Sequence, residues 1–120
     1  MRNKVYLTSA FSLSMVTPPV NLRVEELNLK EFSKFLRENR ERIVSRIGHE
    51  STTQVLRETF DEDVRKLFKT DRTPIKVVPG DTVIVFQILK RPAEGQVYTE
   101  EEIRDILARG LFKILKVEVS

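Results

Sequence analysis

The sequence feature that most restricts the fold is an apolar run at residues 83–89, which only Gln87 interrupts. A strand with one face in water alternates apolar and polar residues, whereas a strand covered on both faces is apolar along its length. Residues 82–89 are therefore predicted to form a central strand, with packed layers on both sides of its sheet.

Four shorter segments are predicted to complete the sheet. Apolar and polar residues alternate in residues 4–8 and 20–24, which is the pattern of a half-buried strand. Residues 74–78 precede the turn-forming sequence Pro79-Gly80-Asp81, which would join them directly to the central strand. Residues 111–119 are predicted to form the last strand.

The first helix is predicted to be long. Asn28 and Glu31 have the spacing of a capping box, in which each side chain accepts a hydrogen bond from the other residue's backbone amide. Apolar residues then recur at helical spacing, with a bend near Asn39, and Gly48 would end the helix, as glycine often does. The apolar stripe consists of Leu29, Phe32, Leu36, Ile43 and Ile47.

Two later helices carry the same start signal. Ser51 is followed three residues on by Gln54, and Thr99 by Glu102, so a helix is predicted to begin at each position. Residues 61–68 are predicted to form a short helix or turn between them.

These elements together predict a single-domain α+β protein over residues 1–120, with a mixed sheet of about five strands flanked by helices. No stretch approaches the roughly 20 apolar residues that a membrane helix needs. The first residues run into a strand pattern rather than a signal peptide. We therefore expect a cytoplasmic protein, in a prokaryotic cell or in the host of a virus, without a membrane partner.

The chain contains no cysteine and one histidine. These counts argue against thiol chemistry and against most transition-metal sites, which need several His or Cys ligands. The acidic run Asp61-Glu62-Asp63 offers oxygen ligands for magnesium, but it is better interpreted as the acidic first turn of a helix. No metal and no cofactor are expected.

The net charge is +3, and the basic and acidic residues are interspersed rather than clustered. A protein that covers long DNA usually concentrates lysine and arginine on one face. A small anionic ligand therefore agrees better with this sequence than a long nucleic acid, although a small DNA-binding regulator stays as an alternative.

Chemistry-bearing residues occur first in Gly48-His49-Glu50-Ser51, between two predicted helices. The first amides of a helix are unpaired and favour an anion such as phosphate. A histidine beside them could bind that phosphate or exchange a proton with it, since imidazole titrates near neutral pH. The alternative is an ordinary surface histidine next to a capping sequence.

Two further segments carry candidate residues. Gln87 to Gly95 follows the central strand and contains Arg91, which could clamp phosphate, and Glu94, which could orient Arg91 or accept a proton. Residues 9–14 are rich in serine, whose hydroxyls could bind phosphate or ribose. The alternative for residues 87–95 is a charged turn with an exposed ion pair.

Taken in order, residues 4–15, 47–52 and 87–95, followed by 100–103, resemble the viral anti-CRISPR ring nucleases of type III immunity and their host-encoded relatives. The resemblance implies a homodimer that binds cyclic tetra-adenylate and cuts it to linear di-adenylates. It also implies that His49 is the catalytic histidine, with Arg91 and Glu94 as its partners.

The resemblance implies ligand contacts as well. Ser12 matches a serine near the reacting ribose, and Gln87 and Arg72 match ligand-contacting positions. Ser9 and Ser14 stand where many relatives have asparagine, so hydroxyls would replace amide contacts there. A non-catalytic protein that sequesters a cyclic nucleotide would share these ligand-facing residues.

Overall fold

The apolar run forms strand β4 (Thr82–Ile88), which lies in the middle of a five-stranded sheet of order β2-β5-β4-β1-β3. The computed structural model describes residues 3–90 and 97–120. The predicted α+β domain with a mixed five-stranded sheet is confirmed. The other strands are β1 (Val5–Thr8), β2 (Leu22–Leu27), β3 (Ile43–Ser45) and β5 (Phe112–Val119).

Strand directions bring three strand ends to one edge of the sheet. Strand β1 pairs in parallel with both β3 and β4, while β5 runs antiparallel to β4 and β2. The carboxyl ends of β1, β3 and β4 therefore meet at the same edge. Ligands in open α/β sheets commonly bind outside such ends.

One face of the sheet packs against the helices. The helices are α1 (Leu29–Glu38), α2 (Glu50–Thr59), α3 (Glu62–Arg65) and α4 (Glu100–Arg109). Phe32, Phe60 and Phe68 form an aromatic cluster beneath them, with ring centroids 5.4–6.2 Å apart. Phe32 and Phe68 are fully buried.

The opposite face is covered by irregular chain. Val16 and Val77 form an isolated bridge there and pack, with their neighbours, against Val83 and Val85 of β4. All four apolar residues of β4 from Val83 to Phe86 are at most 4% exposed, so the predicted burial on both faces is confirmed. Beyond this cover, Val24 of β2 remains 57% exposed.

The predicted long first helix is wrong. Helix α1 ends at Glu38, a 3-10 turn follows at Arg40–Arg42, and Ile43 begins β3. Pairing with β1 overrides the helical spacing of the apolar residues, because Val5 lies opposite Ile43 in a parallel ladder. Consequently Ile47 enters the helix-side core from the segment after a strand, and Gly48 ends no helix.

Strand β3 is short, and the side chain of its last residue, Ser45, binds it to the segment around Lys69. The Ser45 hydroxyl donates to the Lys69 carbonyl at 2.6 Å and accepts from the Lys69 amide at 3.0 Å. Ile47 and Thr70 form a further isolated parallel bridge. The chain after β3 is thus tied to residues 69–71.

The predicted strand at residues 74–78 is also wrong, since only Val77 makes a bridge and β4 pairs with β1 and β5 instead. A strand from far upstream occupies the place that a hairpin partner would take. Gly80 still makes a turn, with φ +99°, and the buried Asp81 accepts from the amides of Lys4 and Val78.

Other boundaries agree more closely. The capping boxes Asn28–Glu31 and Thr99–Glu102 are both present. The second strand, predicted at residues 20–24, lies at Leu22–Leu27, and the short helix predicted within residues 61–68 is α3. No helix among residues 3–90 and 97–120 is long and apolar enough to span a membrane.

Phe68→Ala should destabilise the protein by about 3–5 kcal/mol, because it removes a fully buried ring from the aromatic cluster. Urea denaturation measures this free energy of unfolding. Leu13→Ala is the matched control, since Leu13 is 71% exposed and its truncation should change stability by less than about 0.5 kcal/mol. Similar losses in the two variants would contradict the assigned core.

Candidate functional site

The histidine singled out by the sequence lies at the edge where the parallel strands end. His49 precedes α2, Ser9 follows β1, and Gln87 is near the end of β4. All three line one cavity of about 550 Å³. The topology thus brings together residues that are up to 78 positions apart in the chain.

The walls of this first cavity are mainly apolar and come from the open part of the sheet. Leu22 and Val24 of β2 contribute, together with Val85 of β4. The remaining lining residues are Ala10, Phe11, Thr52, Ile88, Tyr98, Leu115 and Val117. The cavity is therefore lined mainly by apolar residues, with polar side chains that include His49 and Gln87.

A second cavity, of about 390 Å³, adjoins the first. The two share Ser9, Ala10 and His49. Charged residues line the second cavity, namely Arg46, Asp71 and Arg72. His49 consequently lines both cavities, the second of which also has three charged residues in its wall.

His49 is the N-cap residue of α2, with extended backbone angles and no capping hydrogen bond from its side chain. The prediction that Ser51 caps this helix is wrong. The helix begins at Glu50, and the Ser51 hydroxyl is buried without a hydrogen-bond partner among the described residues. The cause is the backbone at His49, whose carbonyl already accepts from the Thr53 amide at 3.2 Å.

The His49 loop is held from one side by the segment after α3. The Asp71 amide donates to the Ile47 carbonyl at 3.0 Å, and Arg72 Nε donates to the Gly48 carbonyl at 2.8 Å. From the other side, the Thr53 hydroxyl donates to the His49 carbonyl at 3.2 Å. These contacts fix the backbone on both sides of the imidazole.

Thr70 extends this network to the first turn of α2. Its hydroxyl donates to Glu50 Oε2 at 2.6 Å and lies 2.7 Å from Thr53 Oγ1. The helix start and the segment around Thr70 are therefore bound together through side chains as well as backbone.

Asp71 is the charged centre of the second cavity. Its carboxylate accepts from the Thr73 hydroxyl at 2.6 Å, from the Thr73 amide at 2.9 Å and from Arg46 Nη1 at 3.0 Å. The Thr73 hydrogen bonds, and then the charge of Arg46, lower the pKa of Asp71 below its ordinary value of 3.8. Asp71 thus remains ionised and orients Arg46 beside the site.

Some predicted ligand-binding residues do not gather around His49. Ser12 and Ser14 are exposed in a 3-10 turn, where their hydroxyls lie 3.0 Å apart, and they line neither cavity. Arg72 lines only the second cavity and Gln87 only the first. Arg91 and Glu94 lie outside the described residues.

The sequence interpretation missed several apolar contributors to the first cavity, above all Phe11, Tyr98, Leu22 and Val24. The Tyr98 hydroxyl donates to the Lys90 carbonyl, which places the ring beside the end of β4. An aromatic residue just ahead of the Thr99 cap was the one available signal. Leu22 and Val24 could be recognised as cavity residues only from the pairing of β2 with β5.

Among residues 3–90 and 97–120, no group of three or more His, Cys, Asp or Glu side chains is arranged to hold a metal ion. Asp61 and Asp63, considered above as magnesium ligands, are ion-paired. Arg37 bonds both carboxylates, and Arg40 lies 3.2 Å from Asp63. These contacts support the structural interpretation of the acidic run.

Fold and cavities together define a single-domain α+β protein with a ligand-sized cavity at the carboxyl ends of parallel strands. The profile of the STIV B116-like family matches residues 5–110, and the chain belongs to that family. Its structure is similar to that of B116 of Sulfolobus turreted icosahedral virus, with a TM-score of 0.74 and 27% sequence identity. The match covers 97% of this chain and 99% of the viral chain. Comparison with curated proteins gave no significant match.

The lowered pKa of Asp71 predicts a pH-dependent contribution to stability. The ionised carboxylate stabilises the folded state above pH 3.8, and this contribution is lost as the pH falls through the lowered pKa. Asp71→Asn should therefore be less stable than the wild type at pH 6, with the difference narrowing toward pH 2. Urea denaturation at both pH values measures it.

Thr73→Val provides the companion variant, because it removes the hydroxyl that contributes most to the lowered pKa. The difference in stability between Thr73→Val and the wild type should also narrow from pH 6 to pH 2, and by less than it does for Asp71→Asn. A stability difference for Asp71→Asn that stays constant from pH 6 to pH 2 would contradict this assignment.

Proposed function

We propose that the protein is a metal-independent ring nuclease that cleaves cyclic tetra-adenylate to linear di-adenylates and thereby switches off type III CRISPR signalling. The observation that carries the proposal is the position of His49, at the N-cap of α2 and on the wall of both cavities. The resemblance of residues 4–15, 47–52 and 87–95 to known ring nucleases supplies the substrate class.

The first cavity has the properties of a nucleoside site. Its volume of about 550 Å³ falls in the usual range of small-molecule pockets, and its walls are largely apolar. Phe11 and Tyr98 offer aromatic rings to a base, and stacking on such rings is a general mode of nucleotide binding. Gln87 offers an amide, which can pair with the N6 and N7 edge of adenine.

The part of the cavity at His49 has the properties of a phosphate site. The N-cap side chain makes no capping bond, so the first amides of α2 keep their capacity to bind an anion. Arg72 adds positive charge in the second cavity, where Asp71 balances the charge of Arg46 at 3.0 Å. In the proposal Arg91 adds a further guanidinium, as the sequence resemblance implies.

Cleavage of RNA needs no added nucleophile, because the ribose 2′-hydroxyl attacks the neighbouring phosphorus. A bond forms from O2′ to phosphorus while the bond from phosphorus to O5′ breaks. The 2′-hydroxyl proton leaves to solvent, and protonated His49 donates a proton to the departing O5′. The product end is a 2′,3′-cyclic phosphate, and two such cuts convert the ring into two di-adenylates.

A ring of four adenylates has twofold symmetry, which matches a twofold dimer in which each subunit presents one copy of the site. The homodimer is accordingly part of the proposal. Each His49 would then serve one of the two cuts.

His49→Ala should lower the cleavage rate by about 10²–10⁴-fold, the usual contribution of a general acid. Binding should be largely retained, because the helix amides and the apolar cavity remain. The measurement is product formation from cyclic tetra-adenylate in EDTA, combined with calorimetric binding of an analogue whose 2′-hydroxyls are replaced by hydrogen. His49→Gln, which keeps a polar side chain without an acid near neutral pH, should be equally slow.

Three results would contradict parts of this proposal. Unchanged turnover in His49→Ala would remove His49 from the chemistry. Tight binding without linear product in the wild type would make the protein a sequestering module instead of an enzyme. Cleavage that stops in EDTA would replace the metal-independent mechanism.

Gln87→Leu tests the adenine site separately. Loss of a paired amide should weaken binding of the 2′-deoxy analogue by about tenfold, while the similar volume of leucine keeps the apolar wall intact. Gln54→Leu on α2, which lines neither cavity, is the matched control and should bind like the wild type. Equal affinity in the two variants would place the base elsewhere.

A further inference from the structure

Gly48 is a glycine that the protein's own structure does not explain. Gly80 and Gly110 have φ angles of +99° and +68°, which side-chain-bearing residues rarely adopt. A Cβ on Gly80 would also lie 1.7 Å from Asn3 Nδ2. Gly48 has neither constraint, because its φ lies outside the positive region and a Cβ there would meet no heavy atom of residues 3–90 and 97–120 within 4 Å.

Flexibility does not explain this glycine either. The Gly48 carbonyl accepts from Arg72 Nε at 2.8 Å, and the preceding Ile47 carbonyl accepts from the Asp71 amide at 3.0 Å. On the following side, the His49 carbonyl accepts from Thr53. The backbone is held on both sides of Gly48, so no hinge is located there.

The open space that Gly48 borders is the second cavity. Gly48 lines this cavity directly beside His49, with Arg46 and Arg72 among the other lining residues. An anionic, flexible group crossing from His49 into this compartment would pass over the Gly48 backbone and meet the Arg72 guanidinium, whereas the Arg46 guanidinium there is ion-paired with the Asp71 carboxylate.

We propose that Gly48 is a ligand-binding position, where the sugar–phosphate chain of the substrate passes in direct contact with the glycine backbone. The inference rests on the proposed ring nuclease function and deepens it. The base enters the first cavity, the cleaved phosphate lies at His49, and the neighbouring ribose and phosphate occupy the second cavity. A side chain at position 48 would take up the room of that ribose.

The test is a size series, Gly48→Ala and Gly48→Val, measured by calorimetric binding of the 2′-deoxy analogue of cyclic tetra-adenylate. Binding should weaken by about tenfold for alanine, and further for valine, because the added atoms overpack the ligand. The melting temperature should stay unchanged or rise slightly in Gly48→Ala, since alanine restricts the unfolded chain and its Cβ meets no atom of the described part of the chain within 4 Å. A loss of binding without a loss of stability distinguishes a ligand contact from a structural role.

Ala108→Leu is the control for added bulk, because Ala108 is exposed on α4 and lines neither cavity. It should bind like the wild type. Wild-type affinity in Gly48→Val would overturn this inference and leave the proposed function standing. A wild-type protein that neither binds nor cleaves cyclic tetra-adenylate would overturn the proposed function and the inference together.

Discussion

The parallel pairing of β1 with both β3 and β4 is the constraint on which the site depends. Val5 of β1 lies opposite Ile43 on one side and Thr82 on the other, so three segments far apart in the chain end at one edge. A polar residue of the site lies near the carboxyl end of each strand: Ser9 after β1, His49 after β3, and Gln87 within the last two residues of β4. Without this pairing, Ser9, His49 and Gln87 would have no reason to share a cavity.

The two faces of the sheet have different roles. One forms much of the buried core, and the other borders the candidate binding cavity. The helix side contains the aromatic cluster and supplies a large part of the buried core. The other side is covered only in part, by irregular chain around Val16 and Val77, and leaves an apolar floor open beside it. A binding cavity of this kind can change its lining without disturbing the helix-side core.

The sequence predicted the central strand and the α+β class because apolar continuity and capping boxes are local signals. The predictions that failed concern segments whose structure is decided by strand pairing with residues far away in the chain. Ile43 and Ile47 continue the spacing of α1, and only pairing with β1 shows that Ile43 belongs to a strand. Residues 74–78 look like a hairpin arm, and only the upstream strand that occupies the position beside β4 explains why they are not.

The same distinction applies to the site. His49 could be identified from its position before a helix, although the cap was assigned two residues too late. Phe11 and Tyr98 could not, because their importance comes from a cavity wall that four separate elements build. Ser12 and Ser14 carried suitable chemistry but line neither cavity, because they lie at an exposed 3-10 turn.

Strand β3 is an edge strand of the sheet, and it therefore affects the tendency of the protein to aggregate at high concentration. An edge strand presents unpaired amides and carbonyls to other chains. Natural proteins protect such strands by keeping them short, by placing charged residues on them or by covering them with another segment. Here the edge strand has only three residues and is flanked by the arginines at positions 42 and 46. The Ser45 hydroxyl is hydrogen-bonded to the backbone carbonyl of Lys69. The protein is thereby protected on this side against edge-to-edge aggregation, even though β3 itself contains an isoleucine and a valine.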